Sequence, residues 1–259
     1  GLEASEPSLA PKGENRLLTI VYADLVGSTR LATRLDPEEY HALITAYHRR
    51  VGAVIRDAGG FIAKFVGDGI FACFGYPKAH EDSAEQAVRA ALEIAEIVPA
   101  IAPEHRGVEV RVGVATGFVV IGETEGEGGQ VEPGIFGETP NLVARLQELA
   151  PPGRVVLCAT TRRLVGDAFV CGAPERRALR GFPAQVDVFV VEGDGNPQSR
   201  FDAHHGTEVP AMLGRGEELA MLHRRWRRAE TGEGRVVLLT GEAGIGKSRL
   251  TLALRDAIA

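Results

Sequence analysis

At 259 residues the chain has room for one large domain, or for one domain and part of a second. Hydrophobic residues at 44% supply a core and three cysteines cross-link little, which excludes a disordered, fibrous or disulfide-stapled protein. A net charge of −6 argues against a nucleic-acid polymer as partner, because such binders carry a basic footprint.

The start of the chain, through Pro7, shows no signal peptide, and no apolar run approaches the roughly 20 residues that cross a bilayer. A cytoplasmic protein without a membrane partner is expected. Cys73, Cys158 and Cys171 lack metal-ligand spacing and read as small buried hydrophobes in a reducing compartment.

Residues 1–15 are polar and read as a flexible arm. Leu17 to Ala23 is a β-branched apolar run that ends at Asp24 and Gly27, which predicts a buried strand opening into a turn. Asp36-Pro37-Glu38-Glu39 starts a helix, Tyr40 to Ile55 keep helical spacing, and Gly59-Gly60 stop it. A hairpin is predicted from Phe61–Val66 and Ile70–Phe74 around Gly67-Asp68-Gly69. An Ala-rich helix spans 81–101, with strands near 107–116 and 118–122 and a flexible acidic loop over 123–129. A helix from Thr139 through Leu149 follows, then strands near 153–158 and 186–191 around a shorter helix.

The predicted fold class is α+β: a ferredoxin-like βαββαβ domain over 16–192 with extra strands, its helices on one face. A linker covers 193–211. Residues 212–259 hold a basic helix around Arg224–Arg228, a strand Val236–Thr240, and Gly241-Glu242-Ala243-Gly244-Ile245-Gly246-Lys247-Ser248. That octet satisfies the phosphate-loop pattern, in which Gly241 and Gly246 let backbone N–H groups wrap a phosphate while Lys247 and Ser248 address the outer phosphates and Mg²⁺. The segment resembles the opening of a signal-transduction ATPase of the AAA type. It is expected to be a truncated P-loop ATPase domain, cut from a longer protein and unable to hydrolyse ATP alone.

Asp24 and Asp68 stand at strand ends, where acids cap helices or occupy turns. If their strands are neighbours, the two carboxylates converge beside the turn Leu25-Val26-Gly27-Ser28-Thr29, whose backbone N–H groups open toward a helix. That arrangement suits two Mg²⁺ and a polyphosphate.

Four stretches now carry a resemblance: Tyr22-Ala23-Asp24-Leu25-Val26-Gly27-Ser28-Thr29, Lys64-Phe65-Val66-Gly67-Asp68-Gly69, Arg111 to Gly117, and Phe136 to Leu146. In that order they resemble the class III nucleotidyl cyclases, in particular bacterial soluble-adenylyl-cyclase-like members in which a cyclase domain precedes an ATPase module. The resemblance implies an adenylate cyclase, a phosphorus–oxygen lyase that turns ATP into cyclic AMP and pyrophosphate. It implies that Asp24, Asp68 and the carbonyl of Leu25 hold two Mg²⁺ or Mn²⁺ ions. Arg145 matches the transition-state arginine, and Asn141, four residues earlier on the same helix face, matches the asparagine that orients the ribose. Lys64 matches the lysine that bonds adenine, and a donor-only ammonium suits the N1 acceptor of that base. The family also implies a homodimer in which Asp24 and Asp68 of one subunit meet Lys64, Asn141 and Arg145 of the other.

Gly134 departs from the pattern, for it stands where the family places an Asp or Thr that reads the base amine. A guanylate or promiscuous cyclase therefore stays open, as does a non-catalytic nucleotide-sensing module that regulates a C-terminal ATPase. His80 opens a helix beside acids, and His204 and His205 lie in the linker. The acidic loop 123–130 resembles the family's dimerisation arm, and bicarbonate or pH regulation is implied by resemblance alone.

Overall fold

The computed structural model describes residues 13–102, 108–125, 131–195, 214–241 and 245–258. The chain divides into two compact units, Gly1–Asn196 and Pro197–Ala259. Among the described residues no helix is long and apolar enough to cross a membrane.

The first unit runs β1 (Glu14–Leu25), α1 (Ser28–Arg34), α2 (Pro37–Asp57), β2 (Phe61–Val66), β3 (Gly69–Phe74), α3 (Ser83–Ile97), β4 (Val110–Glu125), β5 (Val131–Phe136), α4 (Glu138–Leu149), β6 (Val155–Cys158), α5 (Ala159–Val165), β7 (Phe169–Cys171), β8 (Glu175–Arg177) and β9 (Val186–Asp194). The strands form one sheet in the order β2-β3-β1-β4-β6-β9-β7, with β5 on β4 and β8 on β9. The fold is α+β, as the sequence predicts, and β1 pairs antiparallel with both β3 and β4.

The helices take both faces of the sheet, which corrects the expectation of one covered face. On one face Phe74 of β3 lies against Ile55 of α2 around Gly60, and Thr161 of α5 reaches Thr116 of β4. On the other, Leu18 and Ile20 of β1, Phe71 and Cys73 of β3, and Ala115 and Val119 of β4 pack with Val143 and Leu146 of α4. Sheet residues alternate in direction, so a sheet with apolar residues on both faces needs a helix layer on each. The seat of α4 is cut into β4 by two glycines. A Cβ at Gly113 would lie 2.5 Å from the carbonyl oxygen of Val143 and 2.7 Å from the amide nitrogen of Gln147, and one at Gly117 would meet Thr139.

Between β1, β4 and α5 runs a buried chain of hydroxyls. Thr19 and Thr116 share a hydrogen bond of 2.9 Å, Thr116 and Thr161 another of 2.9 Å, and Thr161 lies 3.2 Å from the Cys158 sulfur. That sulfur caps α5 by accepting from the Thr161 N–H. All three cysteines are free; Cys73 and Cys158 are buried and Cys171 is half-buried.

Several boundaries differ from the sequence expectations. Glu14 and Asn15, assigned to the arm, belong to β1 and pair with Ile121 and Val120, while residues 1–12 lie outside the described residues. The two strands expected over 107–122 are one strand of 16 residues. Residues 123–125, assigned to the acidic loop, continue that strand and pair with 131–133 of β5. The short helix α1 was not foreseen.

In the second unit α6 (Gly216–Glu230) carries the basic residues and α7 (Lys247–Ile258) follows the phosphate loop. No strand forms over Val236–Thr240, contrary to expectation. Val236 is 98% exposed and Leu238 82%; an extended segment without a neighbour to complete its hydrogen bonds is no strand.

Candidate active site

One end of the first unit's sheet brings together Asp24 and Asp68, two of the residues that the sequence singles out, while Gly134 pairs with Gly122 toward the other end of β4. Asp24 is the penultimate residue of β1 and stands opposite Arg111 of β4. Asp68 lies in the turn between β2 and β3, and β3 neighbours β1, so strand order alone carries both acids to one edge. Both are half-buried. Burial first, then the charge of Asp68 and a hydrogen bond between the two carboxyls, push the Asp24 pKa up to about 7, against an opposing pull from Arg111.

Buried Leu25 ends the strand, and the chain turns through Val26, whose N–H donates to the Glu109 carbonyl at 2.8 Å. Gly27 then takes φ +70°, a left-handed conformation that glycine adopts without steric cost, and Ser28 and Thr29 begin α1. The first N–H groups of a helix have no partner within it, and α1 begins four residues after Asp24.

The donor set fits divalent ions on two observations. The carboxyls of Asp24 and Asp68 lie close enough to share a hydrogen bond, and Asp68 Oδ2 is buried without a hydrogen-bond partner. Oxygen donors of this kind suit Mg²⁺, which keeps several ligands from water or substrate phosphates. Among the described residues no group of three His, Cys, Asp or Glu could hold a metal, so any ion at the two carboxylates would need further oxygen ligands from backbone, water or substrate.

A second row of residues crosses the sheet on the face that α4 covers. Lys64 is registered opposite Phe71, Phe71 opposite Tyr22, and Tyr22 opposite Gly113, where α4 rests. A bulge between Ile62 and Lys64 sets this register and turns Lys64 onto that face, its Nζ 5.8 Å from the Phe71 ring centroid. Asn141 is exposed on α4, its Nδ2 3.5 Å from the Gly137 carbonyl oxygen. Arg145, one turn on, donates to Glu148 at 2.5 Å. Gly134 on β5 faces Gly122, so neither strand offers a side chain at that level.

Residues without a part in the sequence reading complete the surroundings. Arg111, first residue of the stretch Arg111 to Gly117, stands in register opposite Asp24. Tyr22, Tyr40 and Tyr47 are each pushed above the usual tyrosine range, chiefly by burial and then by the charges of Asp24 and Asp68. His48 is lowered by burial. Nothing in a one-dimensional pattern marks these α2 residues, because their spacing is that of any helix face turned to a core.

The phosphate-loop residues belong to the second unit. Lys247 opens α7 and donates through Nζ to the Gly241 carbonyl at 2.8 Å; Gly246 takes φ +93° and Ser248 follows in the helix. His204 and His205 lie outside the described residues.

Comparison with known proteins agrees with these motifs. Residues 211–259 match the AAA ATPase domain. An uncharacterised protein of Rhizobium meliloti is 34% identical over 245 residues, which is 94% of this chain and 24% of that protein. An uncharacterised protein of Mycobacterium tuberculosis is 32% identical over 181 residues, 70% of this chain and 42% of that one. The chain thus spans less than half the length of these relatives. Among solved structures, the guanylyl cyclase Cya2 superposes with a TM-score of 0.66 at 29% identity, over 72% of this chain and 97% of that one. The adenylyl cyclase CyaB from P. aeruginosa superposes with a TM-score of 0.66 at 23% identity, over 78% and 100%. Residues 11–193 match the adenylate and guanylate cyclase catalytic domain, and the chain belongs to that family.

Proposed function

We propose that the chain is an adenylate cyclase that forms 3′,5′-cyclic AMP and pyrophosphate from ATP in a homodimer with two shared sites. The observation that carries this reading is the convergence of Asp24 and Asp68, with Asp24 held near 7 and Arg111 beside it.

Asp24, Asp68 and the Leu25 carbonyl hold two divalent ions, Mg²⁺ or Mn²⁺. When bound, these ions acidify the ribose 3′-hydroxyl and neutralise phosphate charge. The Val26 N–H is taken by the Glu109 carbonyl, so the N–H groups from Gly27 to Thr29 grip the triphosphate, and Arg111 adds a cation at its end. Across the dimer, Lys64 donates to N1 of adenine and Asn141 orients the ribose. The 3′-oxygen attacks the α-phosphorus in line, the bond from that phosphorus to the bridging oxygen breaks, and pyrophosphate departs. Arg145 offsets the charge that gathers on the α-phosphate oxygens as this happens.

Two features support the shared arrangement. The row Lys64-Phe71-Tyr22-Gly113 ends at α4, which groups Lys64 with Asn141 and Arg145 on one face. Leu17, Phe118, Val120 and Phe136 form adjacent cross-strand pairs and are all exposed, an apolar strip on the face away from α4 that a second copy would cover. Mixing inactive Asp24→Ala and Asn141→Ala proteins is expected to restore activity through one intact site. A mixture that stays inactive, although each variant folds and dimerises, refutes sharing.

Gly134 favours a second reading, a cyclase that also accepts GTP. A missing hydrogen bond of about 0.5–1.5 kcal/mol relaxes base choice by roughly tenfold. Assays with ATP and GTP side by side decide between the two: strict ATP use without detectable GTP turnover removes the promiscuous reading. Absence of any cyclic product with Mg²⁺ or Mn²⁺ removes both and leaves a nucleotide-sensing module. Residues 212–259 are proposed as the start of an ATPase domain.

A further inference from the structure

Lys64 is exposed on β2, the edge strand of the sheet, and among the described residues its ammonium has neither an ion pair nor a hydrogen bond. What faces it is the ring of Phe71, with Nζ 5.8 Å from the ring centroid. That separation lies within the roughly 6 Å over which an aromatic face attracts a cation.

Strand register creates this contact. Ile62 stands opposite Ala72 and Lys64 opposite Phe71, so Ala63 is the extra residue of the bulge. Were the Ile62–Ala72 pair continued without it, Ala63 would stand opposite Phe71 and Lys64 would turn to the other face of the sheet. Phe71 is itself held in place. It is buried in the core cluster with Val143 and Leu146 of α4, and its ring lies 6.0 Å from the Tyr22 ring at 51°, the geometry of a tilted aromatic pair. Tyr22 is fixed in turn against the backbone of β3, since a Cβ at Gly69 would lie 2.7 Å from its hydroxyl oxygen. A flexible lysine therefore faces a ring whose plane is set by two strands.

We propose that Phe71 is a positioning residue for base selection, its ring holding the Lys64 ammonium where the nucleotide base meets it. The inference deepens the adenylate cyclase reading and rests on Lys64 as the group that meets N1 of adenine. A carboxylate partner would hold the charge but occupy one of the ammonium's three donors. A ring face attracts the charge through its quadrupole and supplies no acceptor oxygen, so the N–H groups stay available to the nucleotide. Adenine N1 accepts one of them. Guanine carries N1–H there and sets a donor against a donor. The ring thereby supplies selectivity that Gly134, without a side chain, cannot.

The test compares ATP, GTP and 1-deaza-ATP, in which a C–H replaces N1, by Kd and by kcat/KM in the presence of Mn²⁺. Ratios between nucleotides on one preparation cancel the folded fraction, so lost stability alone does not move them, and the Kd ratios report on base recognition whether or not the protein turns over. Phe71→Leu and Phe71→Met keep an apolar side chain without a ring. Both are expected to weaken ATP relative to 1-deaza-ATP by about two- to fivefold, the range of an exposed cation–π contact, and to narrow the preference for ATP over GTP by as much. The change falls on KM and leaves kcat near the wild-type value. Phe71→Tyr, which keeps the ring, stays near the wild-type ratios. Wild-type ratios in both Phe71→Leu and Phe71→Met overturn the inference and reduce Phe71 to packing; if Phe71→Leu fails to fold, Phe71→Met decides alone. A loss in Phe71→Tyr equal to that in Phe71→Met also overturns it, because the ring is then not what matters. Lys64→Met separates the two levels. An unchanged ratio of ATP to 1-deaza-ATP in Lys64→Met removes Lys64 as the reader of the base, whereas a ratio that collapses there and stays at the wild-type value in the Phe71 variants removes Phe71 alone.

Discussion

Replacing Gly113 with alanine tests how closely α4 must approach the sheet for catalysis. The added Cβ would lie 2.5 Å from the Val143 carbonyl oxygen, 2.7 Å from the Gln147 amide nitrogen and 3.1 Å from the Leu146 Cβ. The two shortest of these contacts are to helix backbone, which cannot rotate out of the way as a side chain does. Restoring ordinary contact requires α4 to retreat by about 1 Å, and a displacement of that size at a catalytic group costs on the order of 100-fold in rate. Overpacking also lowers stability by about 1–3 kcal/mol. Asn141 and Arg145 ride on α4 while Lys64 does not, so the expected pattern is a large fall in kcat with base preference kept. Pyrophosphate release under saturating ATP and Mn²⁺ measures the rate, and a denaturant series measures stability. Gly193→Ala serves as the control, because a Cβ there meets nothing within 4 Å. Gly113→Ala protein that is folded and turns over within a factor of about two of wild type would refute the link between the helix seat and the chemistry.

Other outcomes follow from the same structure. The folded protein holds the Asp24 proton up to about 7 whereas the unfolded chain releases it near 3.8, so the folded form binds more protons across that interval. Stability measured in a chelator therefore falls as pH rises through the interval and levels off above it, and Asp24→Asn flattens the slope. Thr116→Val keeps shape but leaves the Thr19 hydroxyl without its partner, while Thr161 keeps the Cys158 sulfur, at a cost of about 1–3 kcal/mol for the group left unpaired; denaturant unfolding measures it. Phe118→Glu, at a position 69% exposed, is expected to change monomer stability by no more than about 0.5 kcal/mol while abolishing dimerisation and, with it, activity; sedimentation and the cyclase assay check both.

How much of this was legible in the sequence depended on whether the signal was local. Helix α2 was readable because Asp36-Pro37 opens it and Gly59-Gly60 close it, and the β2–β3 hairpin because apolar strands flank a glycine-rich turn. Helix α1, with seven residues, has too few turns to show a period. Strand β4 was divided in two at Gly117, since glycine reads as a break; its reason lies in another element, because any Cβ there would collide with Thr139 of α4. Val236–Thr240 failed for the opposite cause, as its composition is that of a strand but no neighbour among the described residues pairs with it. The acids, Lys64, Asn141 and Arg145 were visible as motifs. Arg111, Tyr47 and His48 were not, because their relation to Asp24 and Asp68 arises from strand register and from the packing of α2 on a turn.

Strand β4 joins three parts of the molecule that could otherwise move independently. Arg111 beside the acidic pair, the glycine seat of α4 and the hairpin with β5 all lie on one stretch of backbone, roughly 45 Å from Arg111 to Glu125 at strand rise. A strand neither stretches nor slips by one residue without turning every side chain to the wrong face. Force applied where β4 pairs with β5 therefore reaches the Arg111 end as a rotation of a rigid rod. Control of this protein through the β4–β5 pair would work by tilt, with Arg111 and the seat of α4 turning together.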